Sequence, residues 1–376
     1  MKQVTAIDTF KSAKRIVIKI GSALIAEEGR ARQDWLISLA ADIADLRADG
    51  QDVVLVSSGA IALGRNQLGP DRPAKLEEKQ AAAALGQPLL MTAMTTAFAP
   101  RGITVAQALL TLDDTENRRR WLNARATLDT LLNAGAVPII NENDSVATDE
   151  IRYGDNDRLA ARVAQMIGAD ILILLSDIDG LYTADPRTDA SATHIPELDE
   201  LTSAHDAMAG DSNQNADLGS GGMVTKLAAA RIAQSAGCAT VITTGTSDRP
   251  INKLLSGGRA TWVLSQLTPD KAREIWLKGH LTPEGAVFID DGARDALLAG
   301  ASLLPVGITK IEGQFLRGAA VAIKDPSGRT IAKGITAYSS EDANRIAGLQ
   351  SDKVEQELGY RGRPALVHRN DLVLER

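Results

Sequence analysis

Cysteine is nearly absent: Cys238, between Gly237 and Ala239, is the single one in 376 residues. No disulfide can close within one chain, which fits a reducing compartment. A lone buried thiol at a strand start is a packing group rather than a nucleophile. Histidine is almost as sparse, and His194, His205, His280 and His368 are too scattered for a zinc motif. There is no Gly-Lys dipeptide, so no Walker A loop, and no G-x-G-x-x-G, so no dinucleotide fingerprint. The first residues carry Lys2, Asp8, Lys11 and Lys14 with no apolar core, so no secretory signal is read there. No apolar run reaches membrane-spanning length. The expectation is a cytoplasmic chain with no membrane partner. A net charge of -7 offers no overall field that would gather nucleic acid.

What remains is an ordinary globular composition, 44% hydrophobic and 24% charged, at a length that suggests two domains. The most informative stretch runs from Ile140 to Ala161, INENDSVATDEIRYGDNDRLAA. It sets asparagines and acids between a short apolar strand, Ala136–Ile140, and a helix that repeats apolar residues at Leu159, Val163 and Ile167. Asn141, Asn143 and Asp144 therefore fall at a strand end, and Asp155, Asn156 and Asp157 at a helix start. Turns and N-caps account for one or two such residues, not for so many. The carboxyl end of a strand in an open α/β sheet is where ligands bind. Val146 and Ile151 suggest a small hairpin folded over that ligand.

Elsewhere strands alternate with helices. Arg15–Ile20 is a short apolar strand interrupted by Lys19 and followed by Gly21 and Ser22; it is either an edge strand with an exposed lysine or an inner strand, where a lysine is costly unless it meets an anion. Asp34–Ala48 reads as an amphipathic helix. The strand Val53–Val56 runs straight into Ser57, Ser58, Gly59 and Ala60, which is either an anion-holding layout or a plain turn. Leu76–Leu85 reads as a helix broken by Gly86 and Pro88, with Pro88 able to start the next helix, Ile103–Leu110 as a strand, and Asp113 or Asp114 as the cap of one helix running to Asn133. The strand Ile171–Leu175 ends in Ser176 and Asp177. Asp211–Gly222 is a polar, glycine-rich loop of the kind that folds over a ligand. Its end, Ser220-Gly221-Gly222, opens a helix at Met223, Val224, Thr225 and Lys226. Glycines let backbone approach phosphate, the helix start supplies N–H donors, and the lysine adds charge. The architecture expected is α/β, a three-layer αβα sandwich with a mostly parallel central sheet. From about Gly279 the texture changes to short β runs, Ala286–Ile289, Ser302–Leu304, Ala320–Ile323, Thr330–Ile335 and Ala365–Val367, separated by glycine turns. The expected division is 1–260, a linker 261–278 and a small mostly-β module 279–376.

Five motifs stand in one order: Lys19-Ile20-Gly21-Ser22, Ser57-Ser58-Gly59-Ala60-Ile61, Ile140-Asn141-Glu142-Asn143-Asp144, Gly154-Asp155-Asn156-Asp157, and Ser220-Gly221-Gly222-Met223 with Thr225-Lys226. Together they closely resemble the amino acid kinase family, in particular its members that phosphorylate free glutamate. The last module, with Gly300–Ile308 and Tyr360 to Asp371, resembles a PUA domain, which implies a small mostly-β barrel. The resemblance implies transfer of the ATP γ-phosphoryl group to the side-chain carboxylate of L-glutamate, giving L-glutamyl 5-phosphate at the first step of proline biosynthesis. It implies magnesium with ATP, with no metal ligand assigned to the protein. It implies proline as feedback inhibitor and a homo-oligomer, dimer or tetramer. Carried over residue by residue, Lys19, Lys226 and Asp157 form the catalytic set, with Asp157 orienting the two lysines. Ser58, Asp144 and Asn156 look like the glutamate-binding set, with Asn141 and Asp155 lining the same pocket and Asp144 assigned chiefly to the α-ammonium. Lys19, Gly21, Ser176, Asp177, Ser220, Gly221, Gly222, Met223, Val224, Thr225 and Lys226 match the ATP site.

Other members of the fold phosphorylate acetylglutamate, aspartate, carbamate or UMP; the Asn-Glu-Asn-Asp and Gly-Asp-Asn-Asp pair argues for free glutamate. A competing reading of another class is an RNA-binding or regulatory protein on a retired kinase fold, suggested by the PUA-like module and by Arg361, Arg363, His368 and Arg369. Against it, residues 280–376 nearly balance acids and bases, where nucleic-acid binding usually shows a basic face.

Overall fold

The computed structural model describes residues 6–69, 75–147, 155–209, 222–360 and 362–375. It divides into two compact units, Met1–Pro269 and Asp270–Arg376. In the first, eight strands form one sheet: β1 (Arg15–Ile20), β2 (Asp52–Ser57), β3 (Val105–Leu110), β4 (Val137–Glu142), β5 (Ile171–Ser176), β6 (Glu197–Leu198), β7 (Ala239–Thr244) and β8 (Ala260–Val263). Their order is β6-β8-β7-β5-β1-β2-β4-β3. Neighbours from β7 to β3 are parallel; β8 runs antiparallel to β7, and β6 parallel to β8.

The alternation of side chains along these strands decides which layer each residue meets. Ile16, Ile18 and Ile20 of β1 point to the same side as Val53 and Leu55 of β2 and Ile171, Ile173 and Leu175 of β5. That side is covered by α1 (Gln33–Ala48) and α3 (Leu76–Phe98), through Leu36, Leu39, Ile43, Leu90, Met94 and Phe98. Val17, Val54, Val56, Leu172 and Leu174 point the other way. They meet α4 (Arg118–Asn133), α5 (Asp155–Ile167) and α6 (Met223–Ser235). The result is three layers, helix, sheet and helix, with both sheet faces buried as a parallel sheet requires. Parity then fixes Lys19 on the α5 and α6 side, beside Val17.

Strand β1 is the switch point. Chain from its one neighbour, β2, leads to β4 and β3; its other neighbour, β5, leads to β7. A crevice opens outside the carboxyl ends at such a point. Ile20 pairs with Ser57 on one side and Leu175 on the other, so the ends of β1, β2 and β5 lie level.

Four sequence expectations change. The helix expected to stop at Leu85 continues to Phe98 with Pro88 inside it. Pro88 removes one helical N–H donor, but Leu90, Met94, Ala97 and Phe98 are buried beneath the sheet, and that packing outweighs the loss. The single helix to Asn133 is two: Leu112–Glu116, capped by Thr111, and α4, capped by Asn117, whose Oδ1 accepts from the N–H groups of Arg119 and Arg120. The aspartates at 113 and 114 are inside the first turn instead. The strand begins at Val105 rather than Ile103. The stretch read as a linker, 261–278, holds the rest of β8 and most of a helix, Pro269–His280. Its polar composition is that of a solvated face, not of loose chain. The hairpin expected at Val146 and Ile151 falls largely outside the described residues; Val146 itself is exposed in a turn.

The second unit holds a mixed sheet of β9 (Gly285–Ile289), β10 (Ile308–Glu312), β11 (Ala320–Lys324), β12 (Thr330–Thr336) and β13 (Val367–Leu374), ordered β10-β9-β11-β12-β13. The two edge strands do not pair directly. An isolated bridge joins Leu303 to Val367 of β13, so Ser302–Leu304 is a bridge rather than a strand. Val287, Ile289, Val321, Ile323, Ile331 and Tyr338 fill its core.

Candidate active site

Lys19 is buried on the inner strand β1, at 4% exposure. The anion that such a lysine requires is Asp157, at the start of α5: Lys19 Nζ lies 2.7 Å from Asp157 Oδ1. Lys226, on the first turn of α6, approaches the other oxygen at 3.6 Å. Thr225 donates its hydroxyl to that same oxygen at 2.9 Å. Burial pushes the Asp157 carboxyl up, but the charges of Lys19 and Lys226 and the hydrogen bonds from Lys19 and Thr225 outweigh it and hold the group below the ordinary carboxylate value. Burial pulls Lys226 below the ordinary ammonium value; Lys19 adds to this, while Asp157 and Asp177 oppose it. Among the described residues two buried ammonium groups meet on one carboxylate, an arrangement suited to receiving a further anion.

Ser58, Asn141 and Asn156 form a second cluster. Asn156 donates through Nδ2 to Ser58 Oγ at 2.8 Å, to the Ser57 carbonyl at 3.2 Å and to Asn141 Oδ1 at 3.3 Å. Ser58 reaches this position because β2 ends there and Gly59 turns the chain at φ +96°, a left-handed conformation open to glycine, into α2 (Ala60–Gly64). Asn156 and Asp157 are consecutive, so the first turn of α5 ties the two clusters together. The second cluster reaches past the sheet: Lys19 belongs to the α5 and α6 side, whereas Asn141 also contacts Gln87 of α3, on the opposite side, donating to Gln87 Oε1 at 2.8 Å.

Asp144 lies in the turn directly after β4, half-buried, and burial raises its pKa to about 6. Among the described residues no hydrogen bond joins it to Ser58, Asn141 or Asn156. Gly21 stands at the end of β1, where its N–H bonds the Leu175 carbonyl. Ser176 ends β5 beside it, buried, and Asp177 follows, exposed. Gly222 caps α6, with no described residue within 4 Å of where a Cβ would stand, and Met223, Val224, Thr225 and Lys226 form the first turn. Ser220, Gly221 and most of the 211–222 loop lie outside the described residues, as does the side chain of Asp155. Sequence reasoning missed Gln87. The available signal was a lone amide between apolar neighbours, masked by the assumption that Gly86 and Pro88 end the helix.

A sheet of this order, with a buried lysine pair and a helix N-terminus at its carboxyl edge, defines a class of phosphoryl-transfer protein. The amino acid kinase family model matches residues 14–244, and a PUA domain model matches residues 285–358. The chain belongs to the amino acid kinase family. It is 56% identical over 368 residues to a glutamate 5-kinase of Caulobacter vibrioides, covering 97% of each chain. It is 57% identical over 366 residues to one of Paramagnetospirillum magneticum, covering 97% of this chain and 98% of that one. Among solved structures it is similar to a carbamate kinase from Giardia lamblia bound to AMP-PNP, at a TM-score of 0.47 and 17% identity, covering 68% of this chain and 100% of that one.

Proposed function

We infer that this chain transfers the γ-phosphoryl group of ATP to the side-chain carboxylate of L-glutamate, giving L-glutamyl 5-phosphate and ADP. The observation that carries the reading is the meeting of Lys19 and Lys226, from separate layers of the sequence, on the single carboxylate of Asp157. A glutamate γ-carboxylate oxygen attacks the γ-phosphorus, and the bond to the β,γ-bridging oxygen breaks. The acceptor is already an anion, so no general base is needed. The difficulty is that two anions must meet while charge spreads over the transferring oxygens. Lys19 and Lys226 offset that charge, and Asp157, held ionised, fixes their positions before substrate arrives.

In this reading Gly21, Ser176, Asp177 and the segment from Ser220 to Lys226 hold the nucleotide. Ser58, Asn141, Asp144, Asp155 and Asn156 hold glutamate, Asp144 facing its α-ammonium. The Asp157 carboxylate is taken up by two lysines and Thr225. In this reading magnesium comes with ATP, on the phosphates, where it would neutralise part of their charge. Proline as end-product inhibitor and a dimeric or tetrameric assembly belong to the same reading. A rate unaffected by added proline removes the first, and a monomeric mass by light scattering the second.

The test is a coupled assay for ADP release with glutamate, acetylglutamate, aspartate and UMP offered in parallel. ADP release dependent on glutamate is expected. Release that follows another acceptor, or none, overturns the reading.

A further inference from the structure

Gln87 joins the site through one contact, and the polarity of that contact can be read from the backbone. Asn141 Oδ1 accepts the N–H of Glu142 at 3.0 Å. A backbone N–H is always a donor, so this atom of Asn141 is its oxygen, and the atom facing Gln87 is its NH2 group. Gln87 must then present its own oxygen to Asn141, at 2.8 Å, which leaves its NH2 group on the other side. That Nε2 is buried and has no partner among the described residues. The same logic applies to Asn156. Its Nδ2 faces the Ser57 carbonyl, which only accepts, so Oδ1 is the remaining atom, and it too is buried without a partner among the described residues. A buried donor left unmade costs about 1–3 kcal/mol.

One orphaned donor and one orphaned acceptor thus sit on a single hydrogen-bonded chain, Gln87–Asn141–Asn156. We propose that Gln87 is a substrate-binding and specificity residue whose Nε2 donates to the α-carboxylate of the amino-acid substrate, while Asn156 Oδ1 accepts from its ammonium. Position supports this end of the substrate. Asn141 is the penultimate residue of β4, two strands from β1, which carries Lys19. At roughly 4.8 Å per strand that is about 10 Å, and Gln87 reaches Asn141 from the opposite layer to Lys19 and Lys226. The γ-carboxylate has to lie at the lysines, so the group nearest Gln87 is the α-carboxylate.

The placement of Gln87 is held by a close helix crossing. A Cβ on its neighbour Gly86 would stand 1.7 Å from the Ala60 carbonyl oxygen, and one on Gly64 would stand 2.0 Å from the Ala82 carbonyl oxygen. Only paired glycines allow α2 and α3 to approach so closely. Ser58, two residues before α2, and Gln87, one residue after Gly86, are brought to the same pocket by that crossing.

This inference rests on the glutamate reading, and its test separates the two. Wild type is first assayed with glutamate; inactivity there is a failure of that reading and not of this one. The variant Gln87→Glu keeps an oxygen toward Asn141 and replaces the donor by a negative charge. The expected result is a rise of about 10–100-fold in KM for glutamate, the size of one hydrogen bond to a charged group. KM for ATP should be unchanged and kcat within a few-fold. The α-carboxamide analogue of glutamate, whose NH2 can donate to the new carboxylate, should gain relative to glutamate in the variant. Gln87→Met, the same length without a donor, supplies the same KM reading should the charged variant fail to fold. A glutamate KM within two-fold of wild type overturns the proposal. So does a parallel rise of both KM values together with a drop in Tm, because that is the signature of a merely structural role.

Discussion

Lys19 Nζ sits 2.7 Å from Asp157 Oδ1, with the lysine side chain 6% exposed and the aspartate sealed. Removing one partner of a buried pair costs about 3–5 kcal/mol, because the other charge stays behind unpaired. Asp157→Asn leaves two neighbouring ammonium groups with no carboxylate between them. The expected outcome is a clear drop in Tm at neutral pH and a large loss of kcat. Because the native Asp157 pKa is depressed, its stabilisation is present above the ordinary carboxylate value and disappears as pH falls through the native one. Variant and wild type should therefore converge in strongly acid solution. Equal Tm at pH 7 would show that the pair is not holding the site together.

Lys19 and Lys226 act on charge that grows as the phosphoryl group transfers. Lys19→Ala and Lys226→Ala should each lower kcat by about 100-fold or more, in line with the loss of a preorganised charge at a reacting centre, and change KM for glutamate much less. Steady-state kinetics with both substrates varied is the measurement. Near-normal turnover in either variant removes its phosphate role.

Asp144 has a pKa near 6, raised by burial, and must be ionised to hold an ammonium group. The profile of kcat/KM for glutamate reports free-enzyme groups, so it should bend downward below about pH 6. Asp144→Asn should abolish that bend and raise the glutamate requirement while leaving ATP affinity alone. The stability effect has the opposite sign to that of Asp157. A raised native pKa means stability is greatest below the ordinary carboxylate value and is lost as pH rises through 6. The ligand-free Asn variant should therefore be the more stable one at pH 8, with the difference shrinking toward pH 4. Thermal melts across that range check the sign.

Gly86 offers a test of the helix crossing. In an exposed helix, Gly→Ala gains about 1 kcal/mol. Here the added methyl meets the Ala60 carbonyl, and overpacking typically costs about 1–3 kcal/mol. Gly86→Ala should lower Tm and raise KM for glutamate more than KM for ATP, since it moves Ser58 and Gln87 apart. Gly279→Ala, a helical glycine with no described residue within 4 Å of the new Cβ, is the control and should leave both KM values unchanged.

The chain itself determined more than its layers. Alternating isoleucine and valine in Arg15–Ile20 made that segment a doubly buried strand, and its period of two already put Lys19 on one face, where an unpaired charge could not stay. The order of the polar motifs along the sequence likewise marked the strand ends and helix starts that surround the site. What the order could not supply was distance. Whether Lys226 met the same carboxylate as Lys19 depended on two helices packing side by side over one face of the sheet. Gln87 entered the site only because Gly64 and Gly86 let two backbones nearly touch, and because buried leucines carried a helix through Pro88. Local propensity stops a helix at proline; the area buried by Leu90, Met94 and Phe98 belongs to residues far away in the chain, and only the tertiary structure brings it to bear.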